Sequence, residues 1–219
     1  MLSSAPNLVD CTFRNVYFEA DLPPISPVTH SSLKCLSLYG YPLLKEPLYS
    51  SSTNILWHLT LPALEHLSIG CEEITRDDLC AFLARSSPPL KSLYIYSGND
   101  FADVEHFLQF IPTVTDLYLW EEDFAFSVIN AIGSHCLPKL RNLMIYGNMY
   151  PANRPYEQLF SALSARHASG APLQSLRILW DPSYAREDSK LYQDMITGMR
   201  KLAADGMEIR ACTKTRNFI

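Results

Sequence analysis

The stretch ALEHLSI (Ala63–Ile69) decides the fold, because it places apolar residues in the pattern Leu-x-x-Leu-x-Leu. Leu67 and Ile69 alternate with Ser68, and a period of two is that of a β-strand with one buried face. The same pattern occurs in six further segments: NLVDCTF, SLKCLSL, PLKSLYI, TVTDLYL, KLRNLMI and PLQSLRI. Such self-similarity indicates a repeat architecture.

The repeats recur at a spacing of 24 to 33 residues, measured between the first apolar residues of successive units. Those residues are Leu8, Leu33, Leu64, Leu90, Val114, Leu140 and Leu173. A proline stands shortly before most of them, as Pro6, Pro62, Pro89, Pro112, Pro138 and Pro172 do. Proline there fits the start of a strand, since it cannot donate to a ladder in the interior. The segment MEIRA, near Met207, predicts a terminal strand.

Segments with helical periodicity separate the strands. TRDDLCAFLARSS begins with Thr75, which with Asp78 resembles a capping box, and DVEHFLQFI and PYEQLFSALSA repeat the helical spacing. A last helix is predicted from about Asp188 to Ala204, ending at Gly206.

One strand followed by one helix, repeated, predicts an α/β fold with a parallel sheet and right-handed crossovers. Because each unit is short and has a single strand, we expect a horseshoe-shaped solenoid of seven to eight repeats. The sheet would line its concave face and the helices its convex face. We expect residues 1–219 to form a single domain.

Charge and composition narrow the function classes. The 18 Lys and Arg residues against 23 Asp and Glu give a net charge of −5, and no basic run exceeds two residues. This disfavours a nucleic-acid or anionic-membrane surface. No apolar run approaches the ~20 residues that cross a bilayer, and the N-terminus lacks a secretory signal, so we expect an intracellular protein, cytoplasmic or nuclear. The six cysteines form no CxxC pair and are expected to be reduced.

The most specific functional signal is a group of aromatic residues on the face opposite the leucines. Aligned strands would stack the intervening residues into columns about 4.8 Å apart. One column would contain Tyr94, Tyr118 and Met144, and the other would contain Tyr96, Trp120 and Tyr146. Tyr and Trp are enriched in binding hot spots, but they also pack against cross-strand neighbours. Binding and sheet stiffening therefore both remain open.

Acidic residues follow this group in the sequence. Glu121, Glu122 and Asp123 come directly after Trp120 and are predicted to form a charged rim. An aromatic centre with an acidic rim favours a partner that carries Lys or Arg.

Catalysis finds little support. None of the six histidines has an i, i+4 partner and HExxH is absent, so no metal site is predicted. His66, Ser68 and Cys35 are a conceivable nucleophile and base, but no third orienting group supports them. Acidic pairs such as Glu72-Glu73 and Asp77-Asp78 are neighbours in sequence and do not face each other across a substrate. No glycine-rich phosphate loop occurs, and no cofactor is expected.

These Leu-x-x-Leu-x-Leu units resemble leucine-rich repeats over about Asn7 to Arg210. The phrases LTLPALEHLSI, ITRDDLCAFLARSSPPLKSLYI, FLQFIPTVTDLYL and KLAADGMEIR look like the repeat region of F-box proteins from mushroom-forming (basidiomycete) fungi. The resemblance implies that the repeats select substrates for a cullin-type ubiquitin ligase. No F-box is expected within this chain, because the segment before Leu8 is too short, so a Skp-type adaptor is implied only if a missing N-terminal F-box exists.

We therefore expect a non-enzymatic module that binds an unknown protein on its concave face. The alternative is a structural scaffold, or a truncated remnant, without a ubiquitin role.

Overall fold

The structure is a computed structural model. It describes residues 4–14, 27–39, 55–70, 74–96, 104–120, 132, 136–146, 155–170, 173–179 and 190–212. The chain forms two compact units, Met1–Phe101 (unit 1) and Ala102–Ile219 (unit 2).

Unit 1 contains four parallel strands of five residues, in the order β1-β3-β5-β6. They are β1 (Asp10–Arg14), β3 (Cys35–Tyr39), β5 (His66–Gly70) and β6 (Ser92–Tyr96). A second, two-stranded parallel ladder joins β2 (Val28–Thr29) to β4 (Leu59–Thr60). The unit also contains a short 3-10 helix, Ile55–His58, and helix α1, Arg76–Ser86.

Unit 2 repeats this arrangement with four more parallel strands, which pair in chain order. They are β7 (Asp116–Trp120), β8 (Asn142–Tyr146), β9 (Ser175–Leu179) and β10 (Glu208–Cys212). The helices whose bounds the structure describes in this unit are α2 (Val104–Leu108), α3 (Pro155–Ala168) and α4 (Lys190–Ala204). The predicted α/β class with parallel strands is confirmed.

A tight turn with proline leads into several strands. In Leu61-Pro-Ala-Leu64, Ile111-Pro-Thr-Val114 and Leu137-Pro-Lys-Leu140, the last residue's N–H donates to the first residue's carbonyl at 3.1 to 3.2 Å. Proline occupies the second turn position, where its fixed φ is favourable. The first and last residues of all three turns are buried. The prolines therefore mark the turn before the strand, and each strand begins two residues after the first apolar residue of its unit.

A second backbone feature recurs just before successive strands and sets their register. The carbonyl of Lys34 accepts two successive N–H groups, those of Glu65 and His66, at 2.8 and 2.9 Å. The carbonyl of Thr115 accepts from Arg141 and Asn142 in the same way, at 2.8 and 2.9 Å. A carbonyl oxygen has two lone pairs and can accept both. The recurrence of this double acceptor fixes one register for successive strands within each unit.

Burial follows the alternation of each strand. Leu67 and Ile69 of β5 and Leu143 and Ile145 of β8 are buried, whereas the residues between them are only partly buried. Helix α1 adds Leu79, Phe82 and Leu83 to the core of unit 1. In unit 2 the corresponding helical contribution comes from α2, α3 and α4, through Phe107, Leu108, Leu163 and Met199.

The helix boundaries follow local chemistry. The predicted capping box is present in α1, where the Thr75 side chain accepts from the Asp78 N–H and the Asp78 carboxylate accepts from the Thr75 N–H. Helix α4 ends before Gly206, whose φ of +95° is readily adopted by glycine. Within α4, a Cβ on Gly198 would overlap the Phe160 ring, so glycine permits α4 to approach α3 closely.

Candidate functional site

The outer face is defined here as the strand face whose residues alternate with the buried leucines. In unit 2 the register places its residues in three rows that run across β7, β8, β9 and β10. The rows are Asp116, Asn142, Ser175 and Glu208; Tyr118, Met144, Arg177 and Arg210; and Trp120, Tyr146, Leu179 and Cys212. Leucines on one face and varied polar and aromatic residues on the other make this face the candidate binding surface.

Trp120 and Tyr146 form the centre of the candidate site in unit 2. Their ring centroids are 3.6 Å apart with an interplanar angle of 24°, so the rings are stacked. They are direct register partners at the ends of β7 and β8. Trp120 remains 38% exposed, which is high for so large an apolar side chain. The stack fixes both rings before any ligand arrives, and a fixed aromatic platform loses little entropy on binding.

Tyr118 and Met144 lie one step closer to the strand starts. They are also register partners, and both are partly buried. The structure therefore brings together four of the six predicted aromatic-column residues as two adjacent pairs.

Charged side chains complete this face. Asp116 accepts hydrogen bonds from the Thr115 hydroxyl and from the Asn142 amide, both at 2.6 Å. Glu208 and Arg210 form an exposed ion pair at 3.0 Å. Arg177 is also exposed, and within the described residues it forms neither an ion pair nor a hydrogen bond through its side chain.

The outer face of unit 1 has a different character. Ser68 donates to the Tyr39 hydroxyl at 3.1 Å, and the Arg14 guanidinium lies 6.0 Å from the Tyr39 ring centroid. Tyr94 is the register partner of Ser68 and is 42% exposed. Tyr96 ends β6, but its side chain lies outside the described part. That Tyr94 and Tyr96 extend the columns of unit 2 stays a prediction.

The predicted acidic rim cannot be placed. Glu121, Glu122 and Asp123 lie outside the described residues. Their role as a rim therefore stays a prediction.

The possible catalytic trio does not have the geometry of an activated nucleophile. His66 is the register partner of Cys35, but the Ser68 hydroxyl donates to Tyr39. Burial raises the pKa of the Cys35 thiol, and the carboxylates of Asp10 and Glu65 raise it further. Both effects favour the neutral thiol over the nucleophilic thiolate. Across the described ranges, no group of three His, Cys, Asp or Glu residues is arranged to hold a metal ion.

Sequence reasoning did not select Arg177 or Arg210 as site residues. The period-two alternation in SLRIL and MEIRA was sufficient to place both on the outer face, because each stands between two apolar residues. Their proximity to each other and to the aromatic stack depends on the pairing of β9 with β8 and β10.

None of the helices in the described part of the chain has the length and apolar character needed to cross a membrane. The chain matches no protein-family model, and neither the curated proteins nor the solved structures give a significant match.

Proposed function

We propose that this chain is a leucine-rich-repeat-like solenoid that binds a protein partner on its outer face. The observation that carries the proposal is the Trp120–Tyr146 stack, which combines a fixed geometry with 38% exposure of Trp120. Large aromatic side chains supply much of the energy of protein interfaces.

Three regularities support a solenoid. The strands in each unit are parallel and pair in chain order, the proline turn recurs before them, and one carbonyl repeatedly accepts two N–H groups. A strand with its connecting segment is then one structural repeat, and its outer side chains vary without altering the backbone. In such a solenoid the outer face is the concave face.

By resemblance to fungal F-box proteins, the partner would be a substrate of a cullin-type ubiquitin ligase. The chain would then act by recognition, and a Skp-type adaptor would bind an F-box rather than these repeats.

A structural scaffold is the alternative function. The same stack favours it, because paired rings on adjacent strands also stabilise a sheet. Under this alternative the outer face captures nothing, and removing Trp120 lowers stability.

The test is affinity capture with the full chain, its Trp120→Ala variant and a Trp57→Ala control. Trp57 is 50% exposed but lies in the 3-10 helix, where its indole N–H donates to Asp78. We expect at least one protein to be recovered by the wild type and by Trp57→Ala and to be lost with Trp120→Ala. The thermal midpoint of Trp120→Ala should stay within a few degrees of the wild type.

Two results would contradict the proposal. One is that no captured protein depends on Trp120. The other is that Trp120→Ala destabilises the chain by about 3 kcal/mol or more, the cost of truncating a packed core residue, which would identify the stack as structural.

A further inference from the structure

We infer that the outer face of unit 2 binds an extended acidic segment of its protein partner. A bulky apolar side chain of that segment rests on Trp120 and Tyr146, and a carboxylate binds Arg177. This inference rests on the proposed function and adds the chemical class of the partner.

The hydrogen bonds of the charged side chains on the outer face lead to the carboxylate. Four charged side chains lie in the outer rows of unit 2, namely Asp116, Arg177, Glu208 and Arg210, and their formal charges sum to zero. Glu208 is paired with Arg210, whereas the Asp116 carboxylate accepts from the neutral Thr115 hydroxyl and Asn142 amide. Arg177 is the one of the four whose side chain has no polar partner among the described residues. Its guanidinium donors are therefore available to an anion of a partner.

The neighbours of Arg177 on the adjacent strands also bear on the binding of an anion. Its register partners are Met144 on β8 and Arg210 on β10. The backbones of adjacent strands are about 4.8 Å apart, so two guanidinium groups start from neighbouring positions. A carboxylate bound to Arg177 also lies near Arg210, whose charge is partly offset by Glu208, and the planar fork of arginine accommodates carboxylates in bidentate geometry.

The spacing of the two subsites fits an extended peptide. Arg177 is one strand away from Tyr146 and two residues nearer the strand start. With strands about 4.8 Å apart and a rise of about 3.3 Å per residue, their backbone positions are about 8 Å apart. Two residues of extended peptide span about 7 Å. The segment should therefore carry its acid about two positions from its apolar anchor.

The described acids of this face lie away from the aromatic stack. Asp116 and Glu208 lie in the first row, at the strand starts, whereas Trp120 and Tyr146 lie in the third row. Glu208 is on the strand next to Arg177, and its ion pair with Arg210 offsets its charge there. The three acids that follow Trp120 in sequence favour a basic partner instead, so the two hypotheses make opposite predictions.

The experiment is selection of a randomised short-peptide display library on the full chain and on three variants. The variants are Arg177→Glu, Trp120→Ala and, as a control with the same charge change, Arg200→Glu at an exposed arginine of helix α4. We expect wild type and Arg200→Glu to enrich peptides with an aromatic or large aliphatic residue and an Asp or Glu about two positions away. A synthetic peptide of that consensus should bind Arg177→Glu at least about tenfold more weakly, as for loss of a charge-assisted hydrogen bond.

The outcomes separate this inference from the proposed function. Enrichment of Lys or Arg, or acidic binding that Arg177→Glu leaves unchanged, overturns the acidic partner while dependence on Trp120 preserves the binding face. Enrichment that is indifferent to Trp120→Ala, or no enrichment at all, overturns both. A second copy of this chain as occupant would appear as concentration-dependent dimerisation abolished by Trp120→Ala, and would also overturn the peptide.

Discussion

Units 1 and 2 share one backbone pattern but use different side chains where their strands begin. In unit 1 the Glu65 carboxylate bridges Lys34, at 3.1 Å, and Lys91. In unit 2 the corresponding positions before the strands include Thr115 and Arg141, and the hydrogen-bonded pair of Asp116 and Asn142 follows them. The backbone bonds are the same in both units. Buried leucines and shared carbonyls therefore specify the repeat, and the side chains at the strand starts differ without changing these backbone bonds.

The two units also tie a helix to the chain before a strand in different ways. In unit 1, Arg85 donates to the carbonyls of Leu56 and Leu59, and Ser86 accepts from the Leu61 N–H. In unit 2, Arg166 donates to the carbonyls of Leu137 and Leu140, at 2.7 and 3.0 Å.

The two arginines differ in burial. Arg166 is 0% exposed, whereas Arg85 remains exposed. Burial lowers the pKa of the Arg166 guanidinium, because its charged form loses water. Its Nε and Nη1 have no hydrogen-bond partner among the described residues. In unit 2, the turn carbonyls of Leu137 and Leu140 thus accept from a fully buried cation, Arg166. In unit 1, an exposed cation, Arg85, and the Ser86 hydroxyl bond the backbone before the strand.

The largest expected effect compares the buried face of a strand with its outer face. It tests whether side chains on the buried face contribute more to the free energy of unfolding. Leu143→Ala should destabilise the chain by about 3 kcal/mol, because it removes a buried side chain and leaves a cavity. Met144→Ala, at the next residue on the outer face, should cost less than about 1 kcal/mol. Urea unfolding measures both. Equal costs at Leu143 and Met144 would show that the outer face is packed like the core.

An intermediate effect is expected at the two arginines. Arg166→Met should cost about 2 kcal/mol, because it removes the side-chain donor of the turn carbonyls of Leu137 and Leu140 and leaves the Leu137 carbonyl with only the Leu140 N–H. Arg85→Met should cost about 1 kcal/mol or less, because water reaches this partly exposed site. Chemical denaturation of both variants gives the comparison. A stabilised Arg166→Met protein would mean that desolvation of the cation outweighs its hydrogen bonds.

The smallest effect concerns pH and belongs to unit 1. Hydrogen bonds from Lys91 and then Lys34 lower the pKa of Glu65 from 4.5 to about 2. Because the folded pKa is depressed, Glu65 contributes stability above about pH 4.5, and that contribution disappears as the pH falls through about 2. Glu65→Gln should therefore lower the thermal midpoint slightly at neutral pH and leave it unchanged near pH 2. High salt should reduce the difference, because the carboxylate and both lysines contact solvent.

A double-mutant background supplies the control for Glu65. With Lys34→Met and Lys91→Met in place, Glu65→Gln should no longer change the pH dependence. If Glu65→Gln still changed the pH dependence of stability in this background, the effect would not arise from Lys34 and Lys91.

Much of the fold was predictable from local pattern. The alternation in SLKCLSL places Leu36 and Leu38 in the core and Ser37 on the outer face. The capping pair Thr75 and Asp78 predicts the start of α1. These features depend on residues within a few positions of one another. The Trp120–Tyr146 pair was also predictable, because equal positions in successive repeats become register partners. The stacked geometry of the rings was not, since it depends on side-chain torsions and neighbours.

Arg166 and Arg177 show where sequence reasoning ends. An arginine in the last turn of a helix is ordinarily solvated and placed near the carbonyl end of the dipole, yet Arg166 is buried against a turn 26 to 29 residues earlier. Arg177 lies between Met144 and Arg210 only because β9 pairs with β8 on one side and β10 on the other.

The sequence by itself determined the repeat, the parallel strands, the buried and outer faces and the turns, because each follows from short-range periodicity and backbone preference. Only the tertiary structure decided which outer side chains meet, which arginine is buried and which outer arginine has no polar partner among the described residues. Those outcomes depend on contacts between residues about 25 to 33 positions apart in the chain. Local propensity carries no information about such contacts until the register brings the strands together.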